Sequence, residues 1–379
     1  MRYRNLGRTG LMVSELGFGT IPILSGRVPV LPEYFSPDTE TAVAIMKRAY
    51  DHGVNFYDTA IPEEYGDAES KLGAFARTVC RDRIIISDKA RFYSGAEIYR
   101  EVIHSAENLG TKPDIYFVHQ VDESNMDEVF APYGALDALY DLKREGMIRF
   151  TGIASHYYNV LLRAAKDPRV DVLQGSGNIF ERGMLERIRN EEAFRDKGLI
   201  LNKVYAAGLL IGPFTVPELI GGIAEYPYSC ALLGIGTFEQ EQAAFGKEYD
   251  PIHFSYEEVC ERLERTTVSG GSRPGANIGN DSAESLGCGR GGIIRCDRCE
   301  RCVCPYGHEI HTGFRQFNYF HFGKEFWAVN KLKMDIEQTY EHCRSCTDQV
   351  CRTRCERGLN IPEEIEKIHR LVHAWSEAR

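Results

Sequence analysis

The sequence predicts an α/β protein in which a (β/α)8 barrel is followed by a small, mainly α-helical domain rich in cysteine. Short apolar runs alternate with amphipathic helical patterns over the first two-thirds of the chain, which is typical of a parallel sheet. Beyond a Gly/Ser-rich stretch, eight of the 12 cysteines fall in two tight groups. The 379 residues are long for one domain and sufficient for a barrel of ordinary size with an appendage.

The barrel prediction depends on repeated strand and helix patterns. In the helix predicted for residues 41–53, Ala42, Ile45 and Ala49 fall on one face. Eight such β–α units can close into a barrel, although periodicity alone does not exclude an open, doubly wound sheet. The predicted strands are residues 16–18, 54–57, 84–86, 115–118, 150–153, 170–173, 199–201 and 231–233.

Composition divides the chain into three predicted parts. The barrel is assigned to residues 1–266 and the cysteine-rich domain to residues 293–379. Residues 267–292 between them are rich in Gly and Ser, which favours a linker or a long surface loop. The G-x-G-x-x-G pattern of residues 287–292 belongs to this linker, because a dinucleotide fingerprint requires a preceding strand and a following helix.

Charge and hydropathy exclude several classes of partner. The formal net charge of −10 and the lack of a basic cluster argue against a nucleic-acid partner. No apolar run is long enough to cross a bilayer, and residues 1–5 lack the apolar stretch of a signal peptide. The sequence therefore predicts a cytoplasmic protein without a membrane partner, in which thiols stay reduced.

The two cysteine groups have the spacing of metal ligands. They read C-x2-C-x2-C-x-C-P and C-x2-C-x4-C-x3-C, and both approximate the iron–sulfur pattern C-x2-C-x2-C-x3-C-P. A structural zinc held by the two CxxC pairs is the alternative, although four cysteines per group exceed the needs of one zinc site. Cys288 is a reserve ligand if the short spacing excludes Cys304. The candidate ligands are Cys296, Cys299, Cys302, Cys304, Cys343, Cys346, Cys351 and Cys355.

Polar residues follow three consecutive predicted strands. Asp58, Lys89 and His119 come after the second, third and fourth strands, and Tyr65 lies in the loop after Asp58. Because the carboxyl ends of barrel strands meet at one rim, these four side chains are expected to converge. Hydride reduction of a carbonyl needs a proton donor at the developing alkoxide. A phenol can serve if an ammonium lowers its pKa and a carboxylate holds that ammonium.

The chain resembles the aldo-keto reductase family over nearly all of residues 1–245. The resemblance lies in the blocks at residues 5–20, 55–60, 65–66, 69–73, 86–89 and 116–119. It implies a TIM barrel and NAD(P)H-dependent interconversion of a carbonyl and an alcohol. Tyr65 would be the general acid, Asp58 and Lys89 would tune it, and His119 would orient the substrate. The segment between Asp58 and Tyr65 is about two residues longer than the family's, so Tyr57 and Tyr93 remain alternatives.

The resemblance also implies a nicotinamide dinucleotide extended across the rim. Gly236 stands where members that prefer NADP usually carry Arg or Lys, so NADP and NAD both remain open. The residues expected to hold the cofactor are Gly19, Thr20, Ser155, His156, Gln174, Lys203, Gly234, Gly236, Thr237 and Gln240.

A subgroup of this family is similar in both halves, because it carries a C-terminal ferredoxin-like domain. The likeness implies two [4Fe–4S] clusters, with the fourth cysteine of each group crossing to the other cluster. Cys355 would then join the first three cysteines of the first group, and Cys304 those of the second. An electron-transfer protein is the implied partner, beside a small carbonyl or alcohol substrate. A non-catalytic nucleotide-binding redox sensor and an electron-transfer subunit are the alternative functions, and the sequence does not identify the substrate.

Overall fold

The computed structural model describes most of the chain. The described residues are 1–26, 36–247, 249–268, 292–323, 328, 332–333 and 336–377, with backbone alone at 266–268 and 321–323. Cys288 and residues 269–291 of the predicted linker lie outside the described residues.

Eight parallel strands close into a barrel, which confirms the predicted (β/α)8 fold. Each strand pairs with the next along the chain, and the last pairs with the first, where Gly234 stands opposite Gly19. All eight predicted strands are present, one with its predicted bounds (residues 115–118) and the others with shifted ends. They are β3 (Leu16–Gly19), β4 (Phe56–Asp58), β5 (Ile85–Ala90), β6 (Ile115–Val118), β7 (Phe150–Ala154), β8 (Val172–Ser176), β9 (Gly198–Asn202) and β10 (Cys230–Gly234).

A short antiparallel hairpin precedes the barrel and was not predicted. Its strands are β1 (Tyr3–Asn5) and β2 (Met12–Ser14). Leu6 and Val13 are fully buried in a cluster with Phe56 and other side chains from the beginnings of the barrel strands. The hairpin therefore covers the amino-terminal end of the barrel.

Helices follow most of the barrel strands. The helix predicted for residues 41–53 is observed as Thr39–Asp51, and it begins two residues earlier because the Asp38 side chain accepts a hydrogen bond from Thr41 N (2.7 Å). The others up to residue 245 are Pro62–Tyr65, Ala68–Ala76, Gly95–Leu109, Met126–Phe130, Ala135–Arg144, Tyr158–Lys166, Gly183–Asn190, Val216–Ile223 and Phe238–Phe245.

The chain divides into two compact units. The first is Met1–Gly177 with Ile188–Val204 and Val216–Ile252, and the second is Asn178–Arg187 with Tyr205–Thr215 and His253–Arg379. The second unit therefore takes in residues 253–266, which the sequence assigns to the barrel, and two segments that follow β8 and β9. Its longer helices are Tyr256–Val268, Ile310–Gly323, Ile336–Ser345 and Ile361–Glu377, with the single turn Val350–Thr353.

The second unit has its own buried contacts. Arg315 and Glu181 form an ion pair with an Nε–Oε1 distance of 3.0 Å and side chains only 8% and 4% exposed. The Asn318 side chain accepts from the backbone nitrogen of Ile294 and donates to its oxygen, both at 2.9 Å. Across the described residues, no helix has the length and apolar character that a membrane span requires.

Candidate active site

A buried ion pair joins the ends of β4 and β5. Lys89 Nζ lies 2.6 Å from Asp58 Oδ2, and the two side chains are 1% and 5% exposed. Asp58 Oδ1 also accepts hydrogen bonds from Ser87 Oγ (2.7 Å) and Gln174 Nε2 (3.0 Å). Burial by itself lowers the pKa of Lys89, but Asp58, Tyr65 and Asp88 together outweigh it, so this pKa lies above its ordinary value. Lys89 is therefore a fixed cation at the rim.

Tyr65 reaches this pair through a single helical turn. The longer segment after Asp58 folds as the helix Pro62–Tyr65, in which Tyr65 N donates to Ile61 O (3.0 Å) and proline occupies the first position. Gly66 ends the turn with a φ of +57°, a left-handed conformation that favours glycine. The turn brings the Tyr65 ring beneath Lys89 Nζ, 5.0 Å from the ring centroid.

The pKa of Tyr65 departs from the sequence expectation. Burial raises it above its ordinary value, and the Lys89 ammonium lowers it by a smaller amount. Asp58 and Glu64 also raise it. The expected effect of Lys89 is therefore present, but desolvation of the phenol is larger, and Tyr65 holds its proton at neutral pH.

The two alternative tyrosines have other partners. The buried Tyr57 hydroxyl lies 3.2 Å from Met46 O and 3.3 Å from Val54 O, so its hydrogen is directed to backbone carbonyls. The Tyr93 hydroxyl faces Gln120 O at 3.5 Å. Of the three tyrosines, Tyr65 is the one whose ring lies against Lys89.

His119 meets a carboxylate that the sequence analysis missed. Its Nδ1 lies 2.5 Å from Glu64 Oε2, and the two side chains are 9% and 5% exposed. Glu64 belongs to the same helical turn as Tyr65. The extra residues between Asp58 and Tyr65, which include Glu64, were visible in the sequence. The partner of Glu64, His119, lies 55 positions further along the chain, so the pairing could not be predicted from spacing.

The protonation states of this pair follow from their surroundings. Burial lowers the pKa of His119 below its ordinary value, although Glu64 opposes the shift. Burial raises the pKa of Glu64, but His119, Arg91 and Lys89 outweigh it, so the net pKa is lowered. At neutral pH the pair is therefore a carboxylate beside a neutral imidazole.

Two candidate cofactor residues present buried polar atoms at the rim. Thr20 Oγ1, directly after β3, and Gln174 Oε1, within β8, are buried without a hydrogen-bond partner among the described residues. Leaving such an atom unpaired costs about 1–3 kcal/mol, so both suit a polar group of a ligand. The Gln174 amide nitrogen, in contrast, is committed to Asp58.

The other candidates lie at the same ends of neighbouring strands. Ser155 and His156 follow β7, Lys203 follows β9 with a φ of +60°, and Gly19 and Gly234 end β3 and β10. Ser155 Oγ donates to Val121 O (2.6 Å) and accepts from Tyr157 N (3.1 Å).

The loop after β10 is closed by its own side chains. Thr237 caps the helix Phe238–Phe245 by accepting from Gln240 N (3.2 Å), and Gly236 N donates to Gln240 Oε1 (2.8 Å). Together with the residues described above, this loop places all ten candidate cofactor residues at the carboxyl rim or in the helix that begins there.

In the second unit, the first cysteine group includes a cysteine from the second. Burial, followed by the neighbouring Cys299 and Cys355, raises the pKa of Cys302 to about 12. Cys351 makes the weakest of these contributions. Cys355 likewise raises the pKa of Cys299, so Cys355 lies with the first group.

The second cysteine group includes Cys304. Burial, followed in order by Cys351, Cys304 and Cys346, raises the pKa of Cys343 to about 11. All eight are free thiols. Among the described residues, the cysteines form no set of three sulfurs close enough to share a single metal ion.

The fold and the rim geometry define a (β/α)8 barrel with an acid–base set at its carboxyl end. A family model described as the aldo/keto reductase family matches residues 15–216, and the chain belongs to this family. The matched segment ends before the cysteine groups.

Named relatives include both dehydrogenases and reductases. D-threo-aldose 1-dehydrogenase of a Pseudomonas species is 26% identical over 53% of this chain and 68% of its own length. NADH-specific methylglyoxal reductase of Escherichia coli is 26% identical over 57% of this chain and 71% of its own. L-galactose dehydrogenase of Arabidopsis thaliana is 32% identical over 40% of this chain, which spans 47% of that relative.

Solved structures agree on the barrel. The Pseudomonas aeruginosa protein PA4992, described as an aldo-keto reductase, is 27% identical with a TM-score of 0.54 over 64% of this chain and 93% of that one. Aldo-keto reductase AKR11C1 of Bacillus halodurans, 22% identical with a TM-score of 0.54 over 70% of this chain and 96% of that one, is similar in fold.

Proposed function

We propose that the protein interconverts a carbonyl and an alcohol by hydride transfer, with Tyr65 as the general acid and base. The observation that carries the proposal is the placement of the Tyr65 ring 5.0 Å from Lys89 Nζ, which itself is paired with Asp58. A bound nicotinamide dinucleotide would supply or accept the hydride. Membership of the aldo/keto reductase family and the dehydrogenase and reductase names of its relatives support this class of reaction.

Tyr65 is suited to give its proton to the substrate oxygen during reduction. Its raised pKa keeps the phenol protonated at neutral pH, as a proton donor requires. As the proton leaves, the phenolate that forms is stabilised by the adjacent Lys89 ammonium. Asp58 holds that ammonium in place and keeps it charged. The reverse reaction uses the same atoms, with the alcohol proton returning to Tyr65.

Glu64 is proposed as a positioning residue for His119. With the carboxylate at Nδ1, the neutral imidazole keeps its proton on Nδ1 and presents Nε2 as an acceptor. While Tyr65 is protonated, Tyr65 as donor and His119 as acceptor together match the hydroxyl group of a bound alcohol, and oxidation follows once the Tyr65 phenolate accepts the proton of that hydroxyl. This arrangement favours binding of the alcohol over binding of the carbonyl.

The cofactor is proposed to bind along the rim residues. Thr20 Oγ1 and Gln174 Oε1 offer unpaired buried acceptors to its polar groups. Gly236, in the loop after β10, has no cationic side chain for a 2′-phosphate, so NAD and NADP both fit the proposal. Equilibrium titration of the purified chain with each nucleotide would decide between them.

The cysteine-rich unit is proposed to be a ferredoxin-like domain holding two [4Fe–4S] clusters. Free thiols, the spacing of both groups and their mutual effects on pKa support Cys355 as a ligand of the first cluster and Cys304 as a ligand of the second. Four cysteines in each group exceed the needs of one zinc site, which disfavours zinc. Such clusters would exchange single electrons with a partner protein or stabilise the unit.

Turnover decides between an enzyme and a sensor. Protein purified without oxygen would be assayed for oxidation of NADH and NADPH with a panel of aldehydes and ketones, and for the reverse reaction with alcohols. Turnover with at least one pair supports the proposal. Tight nucleotide binding without turnover across the panel would instead favour a redox sensor, and reduction of the clusters without any carbonyl would favour an electron-transfer subunit.

A further inference from the structure

Two helices of the second unit bring three donor atoms together away from the cysteines. His369 and His373 are four residues apart on the helix Ile361–Glu377, so their imidazoles share one face. Glu337 faces them from the helix Ile336–Ser345. The two Nε2 atoms lie 3.0 Å apart. Glu337 Oε2 lies 3.1 Å from His369 Nε2, and Glu337 Oε1 lies 2.6 Å from His373 Nε2. We call these three residues the His–Glu cluster.

The surrounding contacts hold the cluster in place. The Tyr340 ring stacks on His369 with centroids 3.9 Å apart and an interplanar angle of 16°. Beneath the cluster the two helices bury apolar side chains, among them Ile336, Ile368 and Leu371. The His369, His373 and Glu337 side chains are 16%, 51% and 60% exposed, so a dissolved ion can reach them.

Protons alone cannot satisfy all three contacts. If both imidazoles carry a proton on Nε2, these protons oppose each other across the 3.0 Å contact. If only one imidazole carries a proton on Nε2, the lone pair on the Nε2 of the other imidazole faces a Glu337 oxygen, and the two repel. A cation placed between the three atoms accepts all three lone pairs at once.

The distances between the donor atoms are close to those between ligands of one metal ion. Donor atoms on a tetrahedral zinc, at ~2.0–2.2 Å from the ion, stand about 3.3 Å apart. The two imidazole nitrogens are 3.0 Å apart, and each lies 2.6 or 3.1 Å from a different oxygen of the Glu337 carboxylate, so small side-chain adjustments bring two nitrogens and one oxygen to that value. Two imidazoles and one carboxylate are ligands that zinc and its neighbours in the transition series accept.

We propose that His369, His373 and Glu337 form a binding site for a divalent transition-metal ion of the zinc type, with water completing the coordination. The ion would cross-link the helices Ile336–Ser345 and Ile361–Glu377. The site differs from the cysteine groups in its ligand chemistry, because it offers nitrogen and oxygen rather than thiolate sulfur. It does not depend on the proposed reaction at the barrel rim.

Cobalt(II) is the probe that separates this site from the cysteines. The full chain, purified without oxygen and retaining any iron it carries, would be titrated with Co²⁺ and followed by absorption. Nitrogen and oxygen ligands give ligand-field bands alone, whereas thiolates add sulfur-to-cobalt charge transfer. We expect about one equivalent of cobalt to bind with ligand-field bands free of sulfur charge transfer.

Matched variants complete the test. His373→Ala and Glu337→Gln, both at exposed side chains, should weaken cobalt binding at least about tenfold, since even outer-shell changes at metal sites cost 10–100-fold. Glu366→Gln, on the same helix with a side chain 48% exposed, should leave the affinity unchanged. Thermal unfolding without metal checks that each variant folds. Equal binding by all variants, binding with only sulfur charge transfer, or no binding at micromolar Co²⁺ would overturn the proposal.

Discussion

The barrel rim and the cysteine groups both bury ionisable side chains, but they balance charge differently. At the rim, the Lys89 ammonium is paired with Asp58, which also receives hydrogen bonds from Ser87 and Gln174. In the cysteine groups, neighbouring thiols of the same kind raise one another's pKa, as at Cys302 and Cys343. The protein therefore supplies both signs of charge at the rim, whereas thiolates in the cysteine groups would need a bound cation, as the cluster proposal supplies.

The largest expected effect concerns the proton donor at the rim. Tyr65→Phe removes the hydroxyl and should lower carbonyl turnover by about 10²–10⁴-fold, the usual contribution of a general acid. Nucleotide affinity should be retained, because Tyr65 is not among the candidate cofactor residues. Steady-state kinetics would measure the carbonyl turnover, and equilibrium titration would measure the nucleotide affinity. Tyr93→Phe is the control, and a larger loss there than in Tyr65→Phe would reassign the acid.

The second prediction tests the charge pairing itself. Lys89→Met leaves Asp58 buried without its partner and should lower the free energy of unfolding by about 3–5 kcal/mol. The double variant Asp58→Asn/Lys89→Met should recover much of that loss, because no unpaired charge remains. Chemical denaturation would measure both. Equal destabilisation of the single and double variants would show that the rim is not held by its charges.

The third prediction tests whether the cysteine groups depend on a cation. Cys355→Ser should remove about half of the iron, because only one of two proposed clusters loses a ligand. Cys80→Ser, at an exposed cysteine outside both groups, should keep the iron content of the parent protein. Iron and acid-labile sulfide would be measured on protein prepared without oxygen. Stoichiometric zinc in place of iron would contradict the cluster proposal.

A smaller effect is expected at Glu64. Glu64→Gln removes the carboxylate that fixes the proton on His119 Nδ1 and should reduce kcat/KM for alcohol oxidation by about tenfold, the value of one hydrogen bond to a charged group. Carbonyl reduction should change less, because an imidazole with its proton on Nε2 can donate to a carbonyl. A proportional loss in both directions would mean that Glu64 has a structural role only.

The smallest change is predicted in the pH dependence of reduction. Because the pKa of Tyr65 lies above its ordinary value of about 10, the phenol stays protonated across the neutral and mildly alkaline range. Titration of Tyr65 should therefore leave kcat/KM for reduction constant until strong alkali, where it falls. In contrast, kcat/KM for alcohol oxidation should rise with pH, because oxidation needs the phenolate. A fall in reduction between pH 7 and 8 would show that bound ligands lower this pKa far below its value in the free protein.

Several features could not be predicted from the sequence, for identifiable reasons. The β1–β2 hairpin has strands of three residues each, too short for a periodic pattern. Glu64 lies in a segment whose extra length was visible, but its partner His119 is fixed by strand order and not by spacing. His369 and His373 show the four-residue spacing of one helical face, whereas Glu337 comes from another helix.

The sequence by itself determined eight β–α units and the rim, because the residues that follow parallel strands must emerge at the same end. Its family resemblance implied that the strands close into a barrel, and the strand pairing confirms it. Only the tertiary structure decided the balance of energies there. Burial outweighs Lys89 in setting the pKa of Tyr65, and it does so because desolvation depends on every neighbouring group rather than on one partner. Glu64 and His119 follow different barrel strands and come together only in the folded barrel, so a pattern along the sequence does not contain their pairing.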